Sequence, residues 1–208
     1  MKIRNLAIAI ALLFACAEAK AQDKATSLNL GFSPFGIERI NINYGDEKYK
    51  YDYKSYWNAN IGLEKQFKGA VSLTEISYAQ AKFDKYDLTN PSTKWFNPAQ
   101  EDDIFIAAFT QYIGKTINPN KRVQFPLYIG IGGEYISGGQ LHNITGNLAA
   151  KARFKFYITN NIGIYAGVTG KVGYGMKAAH DDNDKSSKEY YDVIPFTFAA
   201  DAGLVIGL

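Results

Sequence analysis

Hydrolytic chemistry needs a nucleophile, a base and an orienting acid within reach of one another. Ser137 and His142, five residues apart, supply the first two, and Asp181 joins them only if distant loops converge. There is no G-x-S-x-G motif, and a histidine beside a turn is ordinarily a plain loop residue, so no catalytic residue is assigned. His180-Asp181-Asp182-Asn183-Asp184 is the one metal-like run. Asp182, Asp184 and Ser186 imitate the start of a calcium loop, but Ser187 and Val193 stand where such a loop needs glycine and glutamate. It reads as a solvated acidic loop, with no metal and no cofactor. The remaining chemistry is charge. Lys151, Arg153 and Lys155 alternate along one segment and Lys171 follows, while Glu64, Glu75, Glu134 and Asp201 are spread along the rest of the chain. If all eight share an enclosed space they neutralise one another there.

The elements that would position these groups are strands. The 208 residues hold 15 Tyr, 13 Phe and 19 Gly against 2 Met, a balance that favours strands and turns over helices. One Cys excludes a disulfide framework, and two His leave little for a histidine metal centre. Residues 1–21 read as a secretory signal: Lys2 and Arg4, an apolar run from Leu6 to Phe14, and Ala19-Lys20-Ala21 before Gln22. An alternative is lipidation at Cys16, within Leu13-Phe14-Ala15-Cys16. Removing 1–21 takes three cations and one anion from a chain of net charge +3 and leaves +1, which argues against a nucleic-acid partner.

From residue 27 onward the hydropathy has period two. In 142–158, Leu148, Ala150, Ala152, Phe154 and Phe156 oppose Ala149, Lys151, Arg153 and Lys155. The same split runs through 123–137, 162–175 and 193–208, and places Trp57, Ala59, Ile61 and Leu63 opposite Glu64 in 51–66. In 70–82 Glu75 is expected to point one way and Ile76 and Tyr78 the other. In 103–114 the run Ile104 to Phe109 is apolar on both faces and has no assigned side. Residues 27–44 read as one kinked strand, interrupted at Pro34-Phe35-Gly36, with Leu28, Leu30, Phe32, Ile40 and Ile42 at one parity. A hairpin centred on 45–50 sets Tyr44 near Tyr51 and Leu28 near Phe67. Eight strands result, joined alternately by short turns and long polar loops. At 12 to 18 residues they are long for a sandwich and sufficient to cross a bilayer.

The signal, the eight alternating strands and the terminal Phe196-x-Phe198…Leu204-x-Ile206-x-Leu208 resemble small eight-stranded outer-membrane barrels of the OmpA/OmpX kind. Leu73-Thr74-Glu75-Ile76-Ser77-Tyr78 is similar to the outer-membrane β-barrel domain of Bacteroidetes. The resemblance implies an all-β, antiparallel up-and-down transmembrane barrel over 22–208, inserted by the barrel-assembly machinery and monomeric among outer-membrane lipids of a Gram-negative-type bacterium. No enzyme is expected, since the residues offer no assembled nucleophile, base and acid. Such barrels commonly end in an aromatic residue, whereas this chain ends in Leu208, and a wall-binding domain is not expected.

An eight-stranded barrel is just wide enough for side chains. Glu64, Glu75, Glu134, Lys151, Arg153, Lys155, Lys171 and Asp201 are expected to plug it. A structural or loop-binding role follows, with Tyr49, Tyr51 and Tyr53 on a ribbon above the membrane, and Trp95 and Phe96 in the next loop, as contacts for an extracellular ligand or protein. The alternatives are a narrow channel or small-ligand transporter, which needs a continuous lumen, and a soluble exported β-sandwich binding protein.

Overall fold

The structure is a computed structural model and describes residues 25–44, 47–89, 103–119, 122–138, 141–180 and 188–208. The signal region with Cys16, the loop carrying Trp95 and Phe96, and Asp181 to Ser187 lie outside the described residues. Eight strands follow in chain order: β1 (Ala25–Tyr44), β2 (Glu47–Phe67), β3 (Ala70–Thr89), β4 (Ile104–Ile117), β5 (Val123–Gly138), β6 (Leu141–Tyr157), β7 (Ile162–His180) and β8 (Lys188–Gly207). Each pairs antiparallel with its neighbour in sequence, and β1 pairs with β8, so the sheet closes into a barrel. Closure removes the unpaired edges that strands of 14 to 21 residues would otherwise expose.

Local chemistry sets the short-turn end. Lys68 (φ 47°) and Gly69 (φ 85°) make the two-residue connection from β2 to β3. Two successive left-handed residues match the twist of a hairpin, and glycine takes the second at no steric cost. At the other end β2, β3, β7 and β8 run beyond the expected limits, into the polar stretches read as loops. The first hairpin is also tighter than expected. Tyr44 pairs with Glu47 rather than lying near Tyr51, and Leu28 pairs with Leu63 rather than Phe67. The Lys/Tyr alternation of 48–51 is itself strand and continues the ladder up to the Tyr44–Glu47 pair.

Three register shifts reset which way side chains point. The β1–β8 register shifts between Phe32 and Phe35, and the β2–β3 register shifts between Ser55 and Trp57 and again between Asp52 and Tyr53. One extra residue reverses the alternation. Leu28, Leu30 and Phe32 therefore face outward with Ile37, while Glu38, Ile40 and Ile42 turn inward, correcting the single parity expected for 27–44. β4 resolves as Ile104, Ile106, Ala108, Thr110 and Tyr112 inside, and Phe105 and Ile113 outside.

Candidate functional site

β6 carries Lys151, Arg153 and Lys155 on alternate positions, so a strand with one face to the lumen points all three inward. Lys155 Nζ lies 2.5 Å from Glu64 Oε2, and the Tyr128 hydroxyl donates to the same oxygen at 2.7 Å. One level up, Lys151 Nζ reaches both oxygens of Glu75 at 2.5 and 2.6 Å. Arg153 Nη2 bridges Glu75 (2.7 Å) and Asp201 (3.0 Å). The Arg153 guanidinium also lies 4.2 Å from the centre of the Tyr165 ring, whose hydroxyl donates to Asn60 at 3.0 Å. Gly31 makes room for this: a Cβ there would stand 1.9 Å from the Tyr165 oxygen. All these charged groups are buried.

Six of the eight charged residues singled out in the sequence thus form direct ion pairs. Glu134 and Lys171 sit higher and are not paired directly. Glu134 accepts from Thr145 at 3.2 Å, and Lys171 acts on Glu134 and Glu38 through space. Glu38, which accepts from Thr197, was missed. The bulge at 32–35 brings it to the inner face.

Above the charges the lumen is filled by an apolar cluster that the sequence did not disclose. It comprises Ile40, Ile42, Tyr49, Tyr51, Tyr53, Ala79, Ala81, Ile104, Ile106, Ile136 and Val193. Tyr49, Tyr51 and Tyr53 are 4%, 4% and 3% exposed, so their rings point into the barrel rather than outward from a ribbon. The bulges of β2 again account for this. Below the charges, at the short-turn end, a polar vestibule of about 490 Å³ opens between Glu64, Gln66, Arg122, Gln124 and Tyr157.

Outside, Trp57, Tyr78, Phe105 and Tyr135 form a chain of ring contacts, with centroids 5.5, 6.3 and 6.1 Å apart. Below this girdle Ile129 and Ile131 are each 66% exposed. On β5 the exposed apolar stripe runs from Phe125 to Tyr135. About ten steps of ~3.3 Å, inclined at ~40°, give a band of ~25 Å, the height of a bilayer-facing belt. Among the described residues the only polar side chains on this wall between its rims are Ser72, Thr74 and Gln111. They satisfy one another: Thr74 donates to Gln111 Oε1 at 2.6 Å, and Gln111 Nε2 donates to Ser72 at 2.9 Å. Above the girdle, Arg39 and Asp52 form a two-pronged contact at 2.6 and 3.0 Å, which holds the Asp52 carboxyl below the usual carboxylate range.

Ser137 and His142 do meet, with Oγ to Nδ1 2.7 Å apart, as cross-strand partners of β5 and β6. The serine is 3% exposed, and among the described residues no carboxylate bonds the histidine ring. No cluster among the described residues could hold a metal ion.

A closed antiparallel ring with an apolar outer belt, an aromatic girdle and an ion-paired interior defines an eight-stranded up-and-down barrel of the small outer-membrane kind. No family model matches the chain, and no curated protein matches it. Solved structures do. The outer-membrane protein OprG from Pseudomonas aeruginosa aligns over 88% of this chain and 95% of its own, at 10% identity and TM-score 0.54. The outer-membrane protease OmpT from Escherichia coli aligns over 91% and 99%, at 8% identity and TM-score 0.51. At these identities the likeness is one of fold.

Proposed function

We propose that the chain is a non-enzymatic outer-membrane barrel with a sealed lumen, acting as a structural or loop-binding protein at the cell surface. The observation that carries this reading is the pair of seals in series: an ion-paired network across the middle and an apolar cluster above it. The interior of an eight-stranded barrel leaves no width to spare once such side chains occupy it. The strands that overrun the girdle form a wall above the membrane. With its tyrosines turned inward, that wall offers a partner its outward Lys48, Lys50 and Lys54 together with the adjoining loops. Lipid surrounds the belt, the barrel-assembly machinery inserts it, and each barrel works as a monomer.

Planar-bilayer recording of the purified protein tests the reading. The expected trace stays at baseline. A large, steady single-channel conductance would overturn the seal and favour the transporter reading.

A further inference from the structure

On the outer wall at the short-turn end a groove of about 630 Å³ runs across β2, β3 and β4 to Ile129 of β5. Its walls are Phe67, Ile113 and Ile129. Its floor is opened by two small residues, Ala70 and Ser72. The volume is in the range of sites that take organic ligands. Three lysines stand around it. Lys65 is the cross-strand partner of Ser72, and Lys115 is the partner of Ala70. Lys68, in the turn below, holds its ammonium 5.2 Å from the centre of the Phe67 ring. None of the three is ion-paired among the described residues, and the nearby carboxylate of Glu64 is turned inward and taken by Lys155.

The depth of each group matters. The lysines sit at the lower rim of the apolar belt, where headgroups lie. Ser72 stands two residues beyond Ala70, about 5 Å further into the belt for a tilted strand. Its oxygen accepts from Gln111, which leaves the hydroxyl proton free to donate. From rim to middle the wall therefore presents cations, then a hydroxyl donor, then an apolar channel.

The geometry points to a binding site for one anionic glycerophospholipid of the leaflet at the short-turn end. Its phosphate lies among Lys65, Lys68 and Lys115, an ester carbonyl accepts from Ser72, and an acyl chain fills the groove past Ile113 and Ile129. Exposed lysines at a membrane surface attract anionic lipid, and the groove adds the chain contact that a soluble anion lacks. The inference rests on the barrel reading above.

The full chain is reconstituted in phosphatidylcholine nanodiscs doped with phosphatidylglycerol and released into native mass spectrometry. One phosphatidylglycerol is expected to stay bound to the parent protein. Retention falls about tenfold or more in the triple variant Lys65→Gln, Lys68→Gln, Lys115→Gln, and likewise in Ala70→Leu, which fills the floor. Excess inorganic phosphate leaves retention unchanged. Equal retention of both lipids, retention untouched by either variant, displacement by phosphate, or a second copy of the chain in place of lipid would each overturn the site. Each sample is also run unboiled and boiled in SDS. Loss of the heat-dependent mobility shift reports failure of the barrel itself, whereas a normal shift without lipid reports failure of the site alone.

Discussion

Lys155 on β6 and Glu64 on β2 meet at 2.5 Å across the full width of the barrel, since three strands lie between them either way around the ring. Both side chains are buried, and Tyr128 supplies a second donor to the carboxylate. Removing one partner strands a charge in a low-dielectric interior at a cost of about 3–5 kcal/mol, whereas removing both together is often close to neutral. Lys155→Met and Glu64→Gln should therefore each lower the urea midpoint of unfolding from lipid vesicles, and the double variant should recover most of the loss. Additive losses would show that the pair is not coupled.

The two seals predict a specific pattern of conductance. Tyr51→Ala with Ile104→Ala thins the apolar cluster but leaves Arg153, Glu75 and Lys151 in place, so the bilayer trace stays at baseline. Glu75→Ala, Lys151→Ala and Arg153→Ala, together with Glu64→Ala and Lys155→Ala, remove the second seal on that background, and discrete openings should then appear. Openings in the first variant alone would mean that the charged layer does not block.

Gly31 is a packing requirement rather than a turn. A methyl group there would overlap the Tyr165 hydroxyl and the Asn60 amide, which with Arg153 form one stacked unit. Gly31→Ala should cost about 1–3 kcal/mol as an overpacked core position. Pairing it with Tyr165→Phe should recover part of that by removing the clashing oxygen. No recovery in denaturant titrations would show that the strain lies elsewhere.

The Arg39–Asp52 contact gives the wall above the girdle a defined pH response. The Arg39 guanidinium holds the folded carboxyl below the ordinary carboxylate range, so its contribution is present above that range and is lost as pH falls through the lowered folded value. Arg39 is 39% exposed, so the effect stays under about 1 kcal/mol. Hydrogen exchange, corrected for its intrinsic pH dependence, should show the upper amides of β1 and β2 losing protection between pH 5 and pH 3 in the parent, but not in Asp52→Asn. Equal loss in both would assign the change to another group.

Deleting residue 34 tests the bulge. Without the extra residue the alternation runs unbroken, with Phe32, Phe35 and Ile37 outward and Ser33, Glu38, Ile40 and Ile42 still inward. The deletion should therefore keep the unboiled SDS-resistant form. Loss of the gel shift would mean that the bulge is needed for more than side-chain direction.

How much was readable in the sequence follows from these particulars. On β5 to β8 each strand keeps one parity from end to end, so alternation alone places Lys151, Arg153, Lys155 and Asp201 inside and Phe154, Phe196 and Leu204 outside. β1 and β2 carry bulges, and a bulge has no hydropathy signal of its own. That is why Glu38 was missed and why Tyr49, Tyr51 and Tyr53 were read as outward. β4 is apolar on both faces because its upper inward residues, Ile104 and Ile106, belong to the apolar cluster rather than to the charged layer. The pairing of Ser137 with His142 was suggested by spacing. The serine is buried beside its cross-strand partner Phe105, a tertiary setting that a one-dimensional pattern does not carry.

The charged interior also has an order in time. β6 carries three cations in five residues, and the anions that hold them lie on β2, β3 and β8, none adjacent to β6 in the ring. Neither β6 alone nor the hairpins it forms with β5 or β7 could enter a hydrocarbon layer with those charges answered. Insertion hairpin by hairpin is therefore closed to this sequence. The second, third and last strands must be at hand before the sixth can leave water, so the ring has to assemble as a whole while its charges are still hydrated.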